Sequence, residues 1–120
     1  MRVAIDAMGG DNAPKSIIDG VLQAIQEYNI EVFLIGKKDE INKYIENKHI
    51  NSSRLNIVDA SETILNDDSP VTAIKQKKDS SMVVGLRLVK EGQCDAFVSA
   101  GSTGAFLAGS LLKVGRIKGI

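Results

Sequence analysis

One run of small residues near the end of the chain carries the strongest chemical signal: Asp95-Ala96-Phe97-Val98-Ser99-Ala100-Gly101-Ser102-Thr103-Gly104-Ala105-Phe106. Ala96, Phe97 and Val98 form a short apolar run, the pattern of a strand covered on both faces. Gly101 and Gly104 permit turns closed to other residues and close approach of a ligand. Ser102 or Thr103 is placed to cap a following helix. Free backbone N–H groups and the positive end of a helix dipole would meet there, a setting that suits an anion, above all phosphate. The plainer reading is a strand-to-helix turn with a good cap. A second run of this kind, Asp6-Ala7-Met8-Gly9-Gly10-Asp11, lies near the N-terminus. Asp11, or its neighbour Asn12, reads as a helix cap. Asp6 reads as a hydrogen-bond partner for loop N–H groups, with direct catalysis by either acid as the sharper alternative.

Other reactive residue types are sparse. Lys75, Lys77 and Lys78 make a small basic run, either a solvated face or a dock for an acidic partner. Cys94 stands at the start of a strand with nothing nearby to lower its pKa, and reads as core. His49 follows a polar helix and is not placed to act as a base. No Ser-His-Asp order and no metal-ligand cluster is apparent. The G-x-G-x-x-G spacing of dinucleotide sites is missing. Gly36-Lys37-Lys38 stands where an acid for a ribose hydroxyl would be expected, and no Walker loop is present.

These residues need a scaffold, and the hydrophobic pattern supplies one. Strands are expected over residues 2–8, 32–35, 55–58 and 96–98. Helices are expected over about 14–28, 38–48, 71–78, 82–91 and 103–113. Ile17, Ile18, Val21, Leu22, Ile25 and Tyr28 give the first helix one apolar face, and Ile41, Tyr44 and Ile45 stripe the second. Residues 61–70 are polar and acidic and read as loop. The last helix is apolar nearly all round, so cover is expected on several sides, from a further domain or a second subunit. Strands alternating with helices predict an α/β fold: a mainly parallel sheet with helices on both faces, in three layers. In such sheets the ligand lies beyond the carboxyl ends of the strands, where both glycine-rich runs fall.

At 120 residues the chain is expected to form one domain. Its 15 basic residues balance its 15 acidic ones, which argues against nucleic acid as a partner. The start shows no signal peptide, and no apolar run reaches membrane-span length. A lone cysteine excludes an internal disulfide and fits a reducing cytoplasm. The chain stops after Lys118-Gly119-Ile120 with no polar tail, as a piece of a longer polypeptide would.

Four stretches resemble the bacterial phosphate acyltransferase of phospholipid synthesis, the PlsX family. They are Ile5-Asp6-Ala7-Met8-Gly9-Gly10-Asp11, Lys77-Lys78-Asp79-Ser80-Ser81-Met82, Val98-Ser99-Ala100-Gly101-Ser102-Thr103-Gly104-Ala105 and Gly115-Arg116-Ile117-Lys118-Gly119-Ile120. The resemblance covers the whole chain in order. Ser102 departs from it, since the family usually has Asn there. Length departs too, because family members are nearly three times as long, so residues 1–120 correspond to the N-terminal portion. The resemblance implies a fold similar to isocitrate dehydrogenase-like and phosphotransacetylase enzymes. It implies transfer of an acyl chain from acyl carrier protein to inorganic phosphate, with no metal or organic cofactor. The acyl phosphate would feed a membrane acyltransferase acting on glycerol 3-phosphate. A homodimer, cytoplasmic and peripherally membrane-associated, is implied as well. On this reading Asp6, Met8, Gly9, Gly10, Asp11, Ser99, Ala100, Gly101, Ser102, Thr103 and Gly104 line the phosphate and thioester pocket. Lys75, Lys77 and Lys78 then become docking residues for the acidic carrier. The alternatives are a phosphotransacetylase-like enzyme using acyl-coenzyme A and a non-catalytic module that holds phosphate or an acyl carrier.

Overall fold

The computed structural model describes residues 1–48 and 52–119, so His49 lies outside the described residues. Four strands, β1 (Arg2–Asp6), β2 (Glu31–Gly36), β3 (Leu55–Asp59) and β4 (Ala96–Val98), pair in the order β3-β2-β1-β4. All three pairings are parallel, with Ala4 opposite both Phe33 and Phe97. The helices are α1 (Lys15–Glu27), α2 (Lys38–Glu46), α3 (Pro70–Gln76), α4 (Ser81–Lys90) and α5 (Thr103–Gly109). A π-helical turn, Ser110–Val114, continues α5.

Period-two alternation in β2 sorts its side chains between two layers. Val32 and Leu34 face α1 and α2, packing with Ile18, Val21, Leu22, Ile25 and Ile41. Ile35 faces the other way and joins Ala4, Val84, Leu88 and Cys94 beneath α4. Helices therefore cover both faces of the sheet, the expected three layers. A third cluster, with Ile74, Met82, Leu86 and Ala105, binds α3, α4 and α5 together. Gly85 matters here: a Cβ at that position would fall inside the Phe97 ring, so the glycine is a notch that seats β4 against α4. Phe97 stacks in turn on Phe106, with ring centroids 5.3 Å apart.

Strand order is what creates the site. The chain runs from β1 outward through β2 to β3, then crosses back to lay β4 on the free side of β1. Winding reverses between β1 and β4, and in sheets of this kind ligands bind beyond the carboxyl ends of the strands at such a switch point. Both glycine-rich runs follow those two strands.

Several expectations need correction. The first strand ends at Asp6 rather than Met8, because the Asp6 carboxylate takes the Met8 N–H in a turn (3.0 Å). Neither Asp11 nor Asn12 caps α1 through its side chain: Pro14 occupies that position, and residues 11–14 form turns instead. The last helix buries Ala105 and Gly109 on one side only. Leu107, Leu111 and Leu112 remain exposed, an apolar face of the kind that the expected cover by a further domain or a second subunit would bury.

Candidate functional site

The two glycine-rich loops touch, and a buried acid ties them. Asp6 ends β1 at 3% exposure, where an unpartnered carboxylate would be costly. Its Oδ1 accepts the Met8 N–H and its Oδ2 accepts the Ser99 hydroxyl at 2.8 Å. The Ser99 Oγ in turn accepts the Gly101 N–H at 3.0 Å. One chain of hydrogen bonds thus runs from the end of β1 through Ser99 to Gly101. Asp6 is the hydrogen-bonding partner its position in the sequence suggested.

The glycines let the loops meet. A Cβ on Gly9 would sit 2.7 Å from both Asp6 Oδ2 and the Gly101 nitrogen. Only a residue without a side chain fits between the two loops. Gly10 has φ +103°, the left-handed region that an L side chain rarely adopts, and it lies against Ala100. Gly101 and Gly104 serve differently from the expectation, since neither has a positive φ. Gly101 permits close packing on Gly9 and Ser99, and Gly104 permits it on Pro70, whose Cγ would lie 2.9 Å from an added Cβ. Pro70 is thereby a neighbour of the site that sequence reasoning missed. No local signal points to it, because the contact depends on how α3 packs against α5.

Ser102 settles the capping alternative. Its buried Oγ accepts the Ala105 N–H at 3.2 Å, and Thr103 is the exposed first residue of α5. The amides of Gly9, Gly10, Thr103 and Gly104 have no acceptor among the described residues. These donors lie on two loops held in contact and can serve an anion or a developing oxyanion. Met8 is half-buried over Gly36, linking the loop to the end of β2. Asp11 and Ala100 are exposed at the rim. Among the described residues no cluster of His, Cys, Asp and Glu could hold a metal ion.

The basic run splits. The Lys77 ammonium donates to the Thr63 carbonyl at 2.9 Å and to Asp68 at 2.7 Å. It pins the acidic loop over residues 61–69 and is not free for a partner. That bond holds the Asp68 carboxyl below its ordinary value, helped by the Leu65 N–H. Lys75 and Lys78 are exposed. Cys94 is core as expected: it is buried, and burial pushes its thiol pKa up.

Comparison with known proteins places the chain in a family. A family model described as "Fatty acid synthesis protein" matches residues 1–120. Proteins named "Phosphate acyltransferase" from Thermoanaerobacterium thermosaccharolyticum and Clostridioides difficile are 54% and 55% identical to the chain over 120 residues. One of the same name from Caldanaerobacter subterraneus subsp. tengcongensis is 58% identical over 121 residues. Each comparison covers 100% of this chain and 35% of the relative, so the chain spans about a third of the length of these proteins. Because the family model matches the chain over all 120 residues, the chain belongs to the family described as fatty acid synthesis protein.

Proposed function

We propose that these residues form the phosphate-handling end of an acyltransferase that makes acyl phosphate from acyl carrier protein thioesters and inorganic phosphate. The observation that carries the reading is the Asp6–Ser99–Gly101 hydrogen-bond chain, which joins two glycine-rich loops at the switch point of a parallel sheet. Relatives that bear the name phosphate acyltransferase support it.

Phosphate is a competent nucleophile near neutral pH, so the protein's part is to hold it and to stabilise charge. A phosphate oxygen attacks the thioester carbonyl carbon, and the carbonyl oxygen becomes an oxyanion. The unpartnered loop amides supply donors for the phosphate or that oxyanion. Collapse breaks the carbon–sulfur bond, and the leaving thiolate takes up the proton released by phosphate. Asp6 and Ser99 hold the loops in register for these steps.

Acyl carrier protein and phosphate are the substrates on this reading. The product passes to a membrane acyltransferase that acts on glycerol 3-phosphate. The exposed Leu107, Leu111 and Leu112 favour further cover, in keeping with residues 1–120 as the N-terminal portion of a longer, homodimeric enzyme. We place the enzyme in the cytoplasm with peripheral membrane contact. Among the described residues no helix is long and apolar enough to cross a membrane.

The test supplies the intact protein with phosphate and either acyl carrier protein or acyl-coenzyme A thioesters, and traps acyl phosphate with hydroxylamine. Acyl hydroxamate from the carrier thioester is the expected result. Product from the coenzyme A thioester alone moves the assignment to a phosphotransacetylase-like reaction. Binding without any product leaves a non-catalytic module.

A further inference from the structure

α3 lies between the acidic loop and the candidate site, and it is only seven residues long. A helix that short does not hold its shape alone in water, so its position depends on what ties its ends and covers its inner face. Pro70 and Ile74 stand four residues apart and share that face. Both meet glycines of α5. Pro70 Cγ lies 2.9 Å from where a Cβ on Gly104 would stand, and Ile74 Cδ1 lies 2.9 Å from where one on Gly109 would. α3 therefore packs along α5, and its first residue bears on the turn that presents the Thr103 and Gly104 amides.

One side chain ties both ends of α3. Lys77 is the residue at which the helix stops, and its amide closes the last turn on the Ala73 carbonyl at 2.8 Å. Its ammonium donates to Asp68 at 2.7 Å and to the Thr63 carbonyl at 2.9 Å. Asp68 stands two residues before Pro70 and also accepts the Leu65 N–H at 2.8 Å. The pair thus closes a clasp from the end of the helix to the segment that leads into it. Both side chains are partly buried, where solvent screens an ion pair less than at an open surface. Lys75 and Lys78, on either side of Lys77, are exposed and form no ion pair among the described residues.

We propose that Lys77 is a positioning residue for the candidate anion site: through Asp68 it fixes α3, and through Pro70 it sets where the Thr103 and Gly104 amides stand. The inference rests on the phosphate-handling role proposed above. Hydrogen bonds weaken steeply when distance or angle is lost, so a small shift of Pro70 reads out as a weaker hold on phosphate. Lys77 itself touches no substrate, since its ammonium is committed to the clasp.

The test uses the intact protein with Lys77→Met, which keeps the aliphatic stem, Lys77→Arg, which keeps the charge, and Asp68→Asn. Urea unfolding checks that each variant is folded. Hydrogen exchange over residues 101–105 is followed as inorganic phosphate is titrated. Phosphate should slow that exchange in wild type, and Lys77→Met and Asp68→Asn should need roughly tenfold more phosphate for the same protection. Lys77→Arg should recover most of the wild-type response, because a guanidinium has donors for the same two acceptors. In turnover, Lys77→Met should raise KM for phosphate by a similar factor and leave KM for the thioester within about twofold. A merely structural role lowers the urea midpoint and moves neither readout. Equal phosphate response in wild type and Lys77→Met, no response in wild type, or a change confined to the thioester KM overturns the proposal. A wild type whose loop is protected by phosphate in a Lys77-dependent way, but which forms no acyl phosphate, supports the positioning role and refutes the proposed reaction, so the two failures are distinguishable.

Discussion

Ser99→Ala removes the one oxygen that joins the two glycine loops. The Oγ donates to Asp6 at 2.8 Å and accepts from the Gly101 amide at 3.0 Å. Truncation takes away a hydrogen bond to a charged acceptor, worth about 1.5–3 kcal/mol, and strands an amide at about 1–3 kcal/mol. Gly9 packs directly on that amide, which leaves little room for a replacing water. Ser99 is itself half-buried, so some solvent rescue is expected, and the net loss should be about 2–4 kcal/mol. Asp6→Asn provides the contrast. An amide of the same shape can still accept from Met8 with its oxygen and donate to Ser99 with its nitrogen, so its cost should be about 1 kcal/mol or less. Urea unfolding of the intact protein reads both values. A cycle with Asp6→Ala, Ser99→Ala and the double variant should show coupling of about 1–2 kcal/mol. Turnover should fall with Ser99→Ala, since the loops lose their register. A Ser99→Ala cost within about 0.5 kcal/mol, or additive single effects, would refute the hydrogen-bond chain as the tie between the loops.

Gly101→Val should reduce acyl phosphate formation about a hundredfold or more while secondary structure persists, because any side chain there presses on Ser99 and Gly9; unchanged turnover removes the loop from the site. The Asp68 carboxyl has a folded pKa below its ordinary 3.8, so its contribution is in place above that value and is lost as pH falls through the lowered one. Hydrogen exchange over residues 61–69 should therefore rise in strong acid, and Asp68→Asn should show the faster exchange already at neutral pH. Identical exchange in wild type and variant would contradict the Lys77–Asp68 latch. Gly85→Ala should destabilise the protein by about 1–3 kcal/mol through overpacking against Phe97, read as a lowered urea midpoint; a neutral substitution would mean that the ring moves freely.

Apolar periodicity and turn residues are local, so the alternation of strands and helices is legible from the order of the amino acids alone. So is the service of Asp6 to loop N–H groups, since an acid following an apolar strand needs partners to be buried. Cys94 as a core residue was legible too, because nothing near it in the sequence activates a thiol. Contacts between elements far apart in the chain were settled only by the fold. Strand order put β4 beside β1, and only that adjacency brings Ser99 to Asp6 and Gly101 to Gly9. Packing of α3 on α5 gave Gly104 its neighbour in Pro70, a contact with no local trace. Folding of the acidic loop turned Lys77 inward to Asp68 and broke up the basic run. Residue type dictates what each group can do, but long-range pairing dictates which groups act together, and that pairing has no signature in local spacing.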